Sequence, residues 1–352
     1  MNITFLIGNG FDLACGLKTG YDHFYEWYCK QESESELIDR FKKEINEDLA
    51  KKGEGVVRNW SDLELGFARY TSRYDVNETD YFFECYDDMV SHLMLYLKDE
   101  VSKIDQKLVS EKDVELFARS LCLFYSELPP LEKELIIDVL SDRTAYNSIS
   151  IVTFNYTPLI DLYVDRYKNL TPEELTRIVG KNVRKAQVEK LLHVHGTIER
   201  WPIVGVDDEE LVLNKEIILN DTFRKVFLKH EAIDFLGEKW TREKNGVIDS
   251  SRIICVFGMS MGESDSKTWR RIINWLSSNN SHHLVIFRRS KIVNYISTIN
   301  RKKEIDRIQE SLLRFSEFDR DTNEILRTRI HIVFNTKRVF QMNLINAVNT
   351  NN

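Results

Sequence analysis

No two of the five cysteines (Cys15, Cys29, Cys85, Cys122, Cys255) form a C-x-x-C pair. That excludes a structural zinc ribbon and leaves no disulfide framework; scattered thiols of this kind fit a reducing compartment. Proline is scarce, at five in 352 residues, and with only fourteen glycines beside it low-complexity linkers are not expected. Positive charge is not in excess either. A formal net charge of −7 lacks the basic footprint of a protein that holds DNA or RNA, so nucleic acid is not an expected partner. Long hydrophobic runs are missing as well: the first apolar stretch, Ile3 to Ile7, stops at Gly8, too soon for a signal peptide and far too soon for a membrane span. A cytoplasmic protein with no membrane partner is the expectation. What remains is an ordinary globular balance, 42% hydrophobic and 30% charged, in a chain long enough for a large core.

Six short runs rich in Val, Ile and Phe read as buried strands: Ile3–Ile7, Ile149–Phe154, Leu191–His195, Ile253–Gly258, His283–Phe287 and Ile330–Phe334. Several are apolar at consecutive positions rather than alternating, the pattern of strands covered on both faces. Long amphipathic stretches separate most of them, so the fold class expected is α/β, a Rossmann-like parallel sheet flanked by helices. One segment breaks the alternation. Residues 20–148 read as helix after helix, with Thr19 and Ser110 as N-caps and Pro129-Pro130 as a stop between two helices. We read residues 1–352 as a single domain and 20–148 as a large all-helical insertion after the first strand. A second, charged helical stretch is expected over Thr171–Glu189.

Four polar turns follow predicted strands. Gly8-Asn9-Gly10-Phe11-Asp12 comes first; its glycines permit a sharp turn and close approach to a ligand, and the helix behind it would aim amide groups at a phosphate. Taken alone, G-x-G also fits a simple strand-to-helix turn capped by Asp12. Thr153-Phe154-Asn155-Tyr156-Thr157 places an amide that both donates and accepts at a strand end, or serves as turn chemistry before Pro158. His193-Val194-His195-Gly196 puts two histidines on one face of a strand. With no third ligand nearby in sequence, no metal is expected. His195 is instead the candidate general base, and His193 a packing or hydrogen-bonding residue. The fourth turn runs from Gly258 through Ser260 to Asp265; Ser260 and Asp265 can meet ribose hydroxyls, and Ser264 or Asp265 can cap the helix that follows. Such turns converge on one crevice at the carboxyl edge of a parallel sheet.

Gly16-Leu17-Lys18-Thr19 imitates a phosphate-binding P-loop, but Leu17 separates glycine from lysine and no strand ends in a magnesium-organising Asp. An ATPase is therefore not expected.

Together GNGFD, GLKTGY, TFNYT, HVHG and FGMSMGESD resemble the bacteriophage abortive-infection AbiH family, from the first strand to about Asp265. That family in turn looks distantly similar to the sirtuin-like NAD-consuming domains of antiviral defence. The resemblance implies NAD as substrate and NAD+ glycohydrolase activity, with Gly8 and Gly10 on the phosphate turn and Asn9 between them. It places Asp12 near the nicotinamide-side ribose, Asn155 and His195 at the catalytic Asn and His, and Ser260 and Asp265 toward the adenosine ribose. Glu64, in Trp60-Ser61-Asp62-Leu63-Glu64, is a weaker candidate for the same crevice. The departures count too: the four-cysteine zinc module of deacylating sirtuins cannot be built here, and their Gly-Ala-Gly turn reads Gly-Asn-Gly. Hydrolysis of NAD+ is thus preferred over deacylation.

Two other classes stay open from sequence. One is a sensor that binds NAD or ADP-ribose without turnover. The other is an RNA-cleaving toxin, whose only basic-plus-His cluster, Arg327-Thr328-Arg329-Ile330-His331, falls on a predicted strand. A homo-oligomer or a phage-derived trigger would supply the control that a free NAD hydrolase requires.

Overall fold

The computed structural model describes residues 1–51, 60, 62–104, 109–141, 146–291, 293 and 297–342. Ser61 and three further pieces of the expected 20–148 helical segment lie outside the described residues. Six strands, β1 (Asn2–Ile7), β2 (Tyr146–Thr153), β3 (Lys185–His193), β4 (Ile253–Phe257), β5 (His283–Arg288) and β6 (Ile330–Phe334), form one sheet in the order β3-β2-β1-β4-β5-β6. Every pairing in it is parallel. This is a doubly wound α/β architecture of the kind the apolar runs predicted.

Alternation along each strand sorts the core into two layers. Phe5, Ile7, Ile151, Cys255 and Val285 face one layer, roofed by helices Glu111–Cys122, Pro130–Leu140, Leu159–Lys168 and Pro172–Val179. Leu6, Val152, Ile254, Val256 and Ile286 face the other, against helices Trp240–Ser250, Ser266–Ser278 and Thr298–Leu313. Burial on both faces explains why β1, β4 and β5 are nearly all apolar. β3 is the exception. As an edge strand it alternates exposed Gln187 and Glu189 with buried Ala186 and Val188, and its pairing with β2 slips between Ile149 and Ser150, leaving Glu189 as an extra residue. The charged stretch expected to be helical over Thr171–Glu189 is therefore only partly so: helix Pro172–Val179 ends at Gly180, and β3 begins at Lys185.

The described residues between β1 and β2 are mostly helical but do not share one core. Helices Tyr21–Tyr28, Glu36–Leu49, Leu63–Tyr70 and Thr79–Ser102 build a separate apolar cluster around Phe41, Trp60, Phe67 and Phe82. The stretch from Ile198 to Leu228 completes that cluster, and Tyr86 Oη donates to Val204 O at 2.6 Å. Edge-to-face pairs such as Phe41–Trp60 and Trp60–Phe67 pack it. Local signals set the helix ends: Ser110 and Asp113 form a reciprocal capping box, and Pro130 opens its helix at the first position. Thr19, expected as an N-cap, is not one. Gly20 holds that position, and the Thr19 side chain turns to Asn9 instead.

Candidate functional site

A cavity of about 700 Å³ runs along the carboxyl edge of the sheet. All four turns singled out in the sequence reach it, through Gly8, Asn9, Gly10 and Asp12, through Asn155, through His195, and through Gly258, Ser260 and Asp265. Phe11 does not. It is fully buried in the core beneath, edge-on to Tyr163 and Phe340 at centroid distances of 5.9 and 5.6 Å.

The cavity straddles the point where strand order reverses, between β1 and β4, and there two turns interlock. Gly8 N donates to Phe257 O and Gly10 N to Gly258 O, both at 2.9 Å. A Cβ on Gly10 would stand 2.4 Å from Gly258 Cα, and Gly258 itself has φ +71°, so both positions need glycine. Phe11 N is spent as well, on Gly8 O at 2.9 Å, and the helix behind the turn is only five residues long. The expected cradle of amides is thus largely closed: this turn offers shape rather than free donors. Asn9 locks its outer side, donating to Thr19 O at 2.9 Å and accepting from the Thr19 hydroxyl.

Asp12 sits just below, 1% exposed. Its Oδ1 accepts from Asn155 Nδ2 at 2.9 Å and its Oδ2 from Thr157 Oγ1 at 2.5 Å. Burial raises the Asp12 carboxyl to about pH 7, against the pull of Thr157, Asn155 and His193 toward ionisation. With one N–H committed to Asp12, the Asn155 amide keeps its oxygen as an acceptor and its second N–H as a donor. His193 closes the far side of this group. Its ring nitrogens meet Asp161 Oδ2 at 2.9 Å and Asn155 O at 3.3 Å.

His195 lies beyond the end of β3, in the turn that follows, so the two histidines do not share a strand face as the sequence suggested. Gly196, at φ +75°, lets the chain reverse there, and the ring of His195 packs edge-on to Phe154 at 5.2 Å. It is 7% exposed, and its Nε2 faces Asp265 Oδ1 at 3.4 Å. Burial and the Lys229 ammonium hold the His195 pKa below its ordinary value, while Asp265 works the other way. The imidazole is therefore neutral near pH 7. For Asp265, burial opposes ionisation, yet Lys229 and His195 together keep the carboxyl well below its ordinary range. Lys229 Nζ is 2.7 Å away. An ionised Asp265 fixes the proton of His195 on Nε2, which leaves Nδ1 as the basic atom. Asp265 holds the N-cap position of helix Ser266–Ser278, but its side chain makes no capping bond.

Glu64 enters the same cavity on helix Leu63–Tyr70, which Asp62 caps through Leu65 N at 3.0 Å. Tyr21 Oη donates to Glu64 Oε2 at 3.2 Å. Burial, followed by the neighbouring Asp62 and Asp265 charges, lifts the Glu64 carboxyl well above its ordinary range despite Lys229. Ionised Asp265 and a Glu64 that keeps its proton at neutral pH thus gather around His195 and Lys229. Arg288, the last residue of β5, and Arg289 just beyond it line the cavity with Asn335 after β6. Asn335, at φ +49°, pins the loop beyond the arginines by bonding Ser290 N and Ser290 O at 2.8 and 2.9 Å. Sequence reasoning missed Lys229, Tyr21, Arg288, Arg289 and Asn335. The arginine pair and Asn335, polar residues at the ends of apolar runs, carried a signal that reading could have used; Lys229 and Tyr21 did not.

These features define a doubly wound α/β protein with a crevice at the switch point of a parallel sheet, the place where open α/β sheets take ligands. The chain belongs to the bacteriophage abortive infection AbiH family, whose model matches residues 4–287. An antiviral role is what that membership suggests. No curated protein matches the chain. Among the described residues no helix is long and apolar enough to cross a membrane.

Proposed function

We propose that this crevice binds NAD+ and hydrolyses its nicotinamide–ribose bond, and that this activity is what serves abortive infection. The observation that carries the reading is the meeting of Asn155 and His195 in one cavity, at the reversal point of a sheet ordered β3-β2-β1-β4-β5-β6. That strand order is the one dinucleotide-binding folds use, with the ligand lying across the reversal point.

Charge along the cavity supports the same ligand. The arginines lie at the end of β5 and His195 just beyond β3, four strand spacings apart, roughly 19 Å at about 4.8 Å per spacing. A dinucleotide laid along the edge would place its pyrophosphate by Arg288 and Arg289, and its cationic nicotinamide riboside among Asp62, Glu64 and Asp265. Asp265, which stays ionised there, favours the positive charge that grows on the ribose as the C–N bond breaks, and Glu64, protonated at neutral pH, can donate a hydrogen bond. Water adds at the ribose carbon, nicotinamide leaves as a neutral base, and the proton of the water passes to His195. The products are ADP-ribose, nicotinamide and one proton. Asn155, held by Asp12, orients the ribose or the water through its amide oxygen.

Purified protein incubated with NAD+ tests this by release of nicotinamide. Asn155→Ala and His195→Ala should lose it while keeping the parent's circular dichroism. Turnover in both variants equal to the parent's would sink the mechanism, and binding of NAD+ without turnover in the parent would leave a sensor in its place.

A further inference from the structure

His195 forms part of the wall of a second, smaller pocket of about 260 Å³ on its far side. Five cations line that pocket: Lys229, Lys244, Lys267, Arg270 and Arg271. Three of them are matched by acids, Lys229 by Asp265 at 2.7 Å, Arg270 by Asp208 at 3.2 Å and Arg271 by Asp249. Lys244 and Lys267 are not. Lys244 Nζ bonds only the hydroxyl of Thr268, at 2.7 Å, and Lys267 Nζ meets the His230 ring at 3.4 Å. Among the described residues neither has a carboxylate in ion-pair range. Burial pushes the Lys244 pKa below its ordinary value, and the neighbouring Lys229 adds to that push against Asp207 and Asp265. A half-buried ammonium without a counter-ion is a costly arrangement that an anion would relieve.

One acid faces this pair. Asp207 lines the pocket at 7% exposure, and its Oδ2 is buried with no hydrogen-bond partner among the described residues. A carboxylate can only accept, so what satisfies it must bring a proton. Two unmatched ammonium groups beside one unpaired acceptor select an anion that also donates.

The geometry points to a binding site in this pocket for a small oxyanion that carries a hydrogen-bond donor, inorganic phosphate being the simplest. At neutral pH phosphate keeps at least one proton, and sulfate, of similar shape, keeps none. The site donates to the oxygens through Lys244 and Lys267, and accepts the proton at Asp207. Lys229 and Lys244 both disfavour protonation of His195, so an anion that offsets them links occupancy of this pocket to the state of the candidate base. Binding itself is independent of NAD+ hydrolysis and is measured without NAD+.

Calorimetric titration of the full chain with phosphate, and separately with sulfate, at pH 7.5 and fixed ionic strength tests the site. Phosphate should saturate, with sulfate at least tenfold weaker. Lys244→Gln, which keeps a partner for Thr268 while removing the charge, should weaken phosphate at least tenfold; Asp207→Asn should narrow the gap between the two anions. A paired Arg288→Ala/Arg289→Ala variant, altered only in the main cavity, should bind phosphate like the parent. Equal affinity for the two anions, no saturable phosphate binding, unchanged affinity in folded Lys244→Gln, or loss of binding in the paired arginine variant would each overturn the assignment.

Discussion

Asp12 and Asn155, 143 positions apart in the chain, are joined by a 2.9 Å hydrogen bond from the Asn155 amide to Asp12 Oδ1. The bond ties the turn after β1 to the turn after β2, neighbours in the sheet. It also fixes which way the Asn155 amide faces. Replacing Asn155 by Ala removes the amide and leaves the sheet untouched, so the rate of nicotinamide release should fall by roughly 100-fold or more, while the buried Asp12 Oδ1, left without its donor, should lower stability by about 1–3 kcal/mol in urea unfolding. Asn155→Asp is the sharper variant. It sets a second carboxylate against Asp12, and its stability should drop steeply above neutral pH and recover in acid, where the pair shares a proton. A pH-independent midpoint for Asn155→Asp would show that the two side chains do not touch.

Asp12 itself makes stability depend on pH. Its carboxyl titrates near 7 when folded, against an ordinary value of 3.8. The folded state therefore holds the proton more tightly than the unfolded chain. The contribution of Asp12 is most favourable below about pH 4 and is lost as pH rises through 7. The full gap is on the order of 4 kcal/mol. Asp12→Asn cannot ionise, so its stability relative to the parent should climb between pH 4 and pH 8, measured by urea unfolding across that range. A flat difference would mean that Asp12 is ionised throughout.

Two glycines make a matched pair. Gly10→Ala forces a Cβ to within 2.4 Å of Gly258 Cα, backbone against backbone, where nothing can swing aside. A cost of about 1–3 kcal/mol is expected, together with weaker ligand binding as the two turns part. Gly246, inside helix Trp240–Ser250, has nothing within 4 Å of an added Cβ. There alanine should stabilise by up to about 1 kcal/mol. Equal effects from the two substitutions, read from urea midpoints, would contradict the interlocked turns.

What sequence alone could reach is clear from particular elements. β1, β4 and β5 announce themselves because both faces are buried and nearly every position is apolar. The start of β3 hides because an exposed edge and an extra residue give it the composition of a helix surface. Gly8, Asn155, His195 and Ser260 were legible because a parallel sheet sends the ends of its strands to one side. Lys229 was not: it sits in a helix with no local mark, and its partner Asp265 is 36 positions away. Glu64 stood between these cases, named from a short motif and brought to the cavity only by packing of the helical cluster. Asp12 was read as a cap or a ribose contact, whereas both its oxygens serve Asn155 and Thr157. Tertiary partners of that kind leave no periodic trace.

The arginines at the end of β5 bear on which end of a dinucleotide lies where. Arg289 is exposed and has no acid partner among the described residues, while Arg288 is partly buried and reaches Met259 O at 3.5 Å. Neither lies near His195, so neither should alter the chemical step. If they hold the pyrophosphate, Arg288→Ala and Arg289→Ala should each raise KM for NAD+ roughly tenfold, the cost of one charge-assisted contact, with kcat little changed. Salt should weaken NAD+ binding in the parent and do so less in each variant, because fewer charges remain to be screened. The pattern of loss then reads the orientation directly. A fall in kcat with KM unchanged would place the reacting ribose, not the phosphates, beside β5, and would reverse the ligand along the sheet edge.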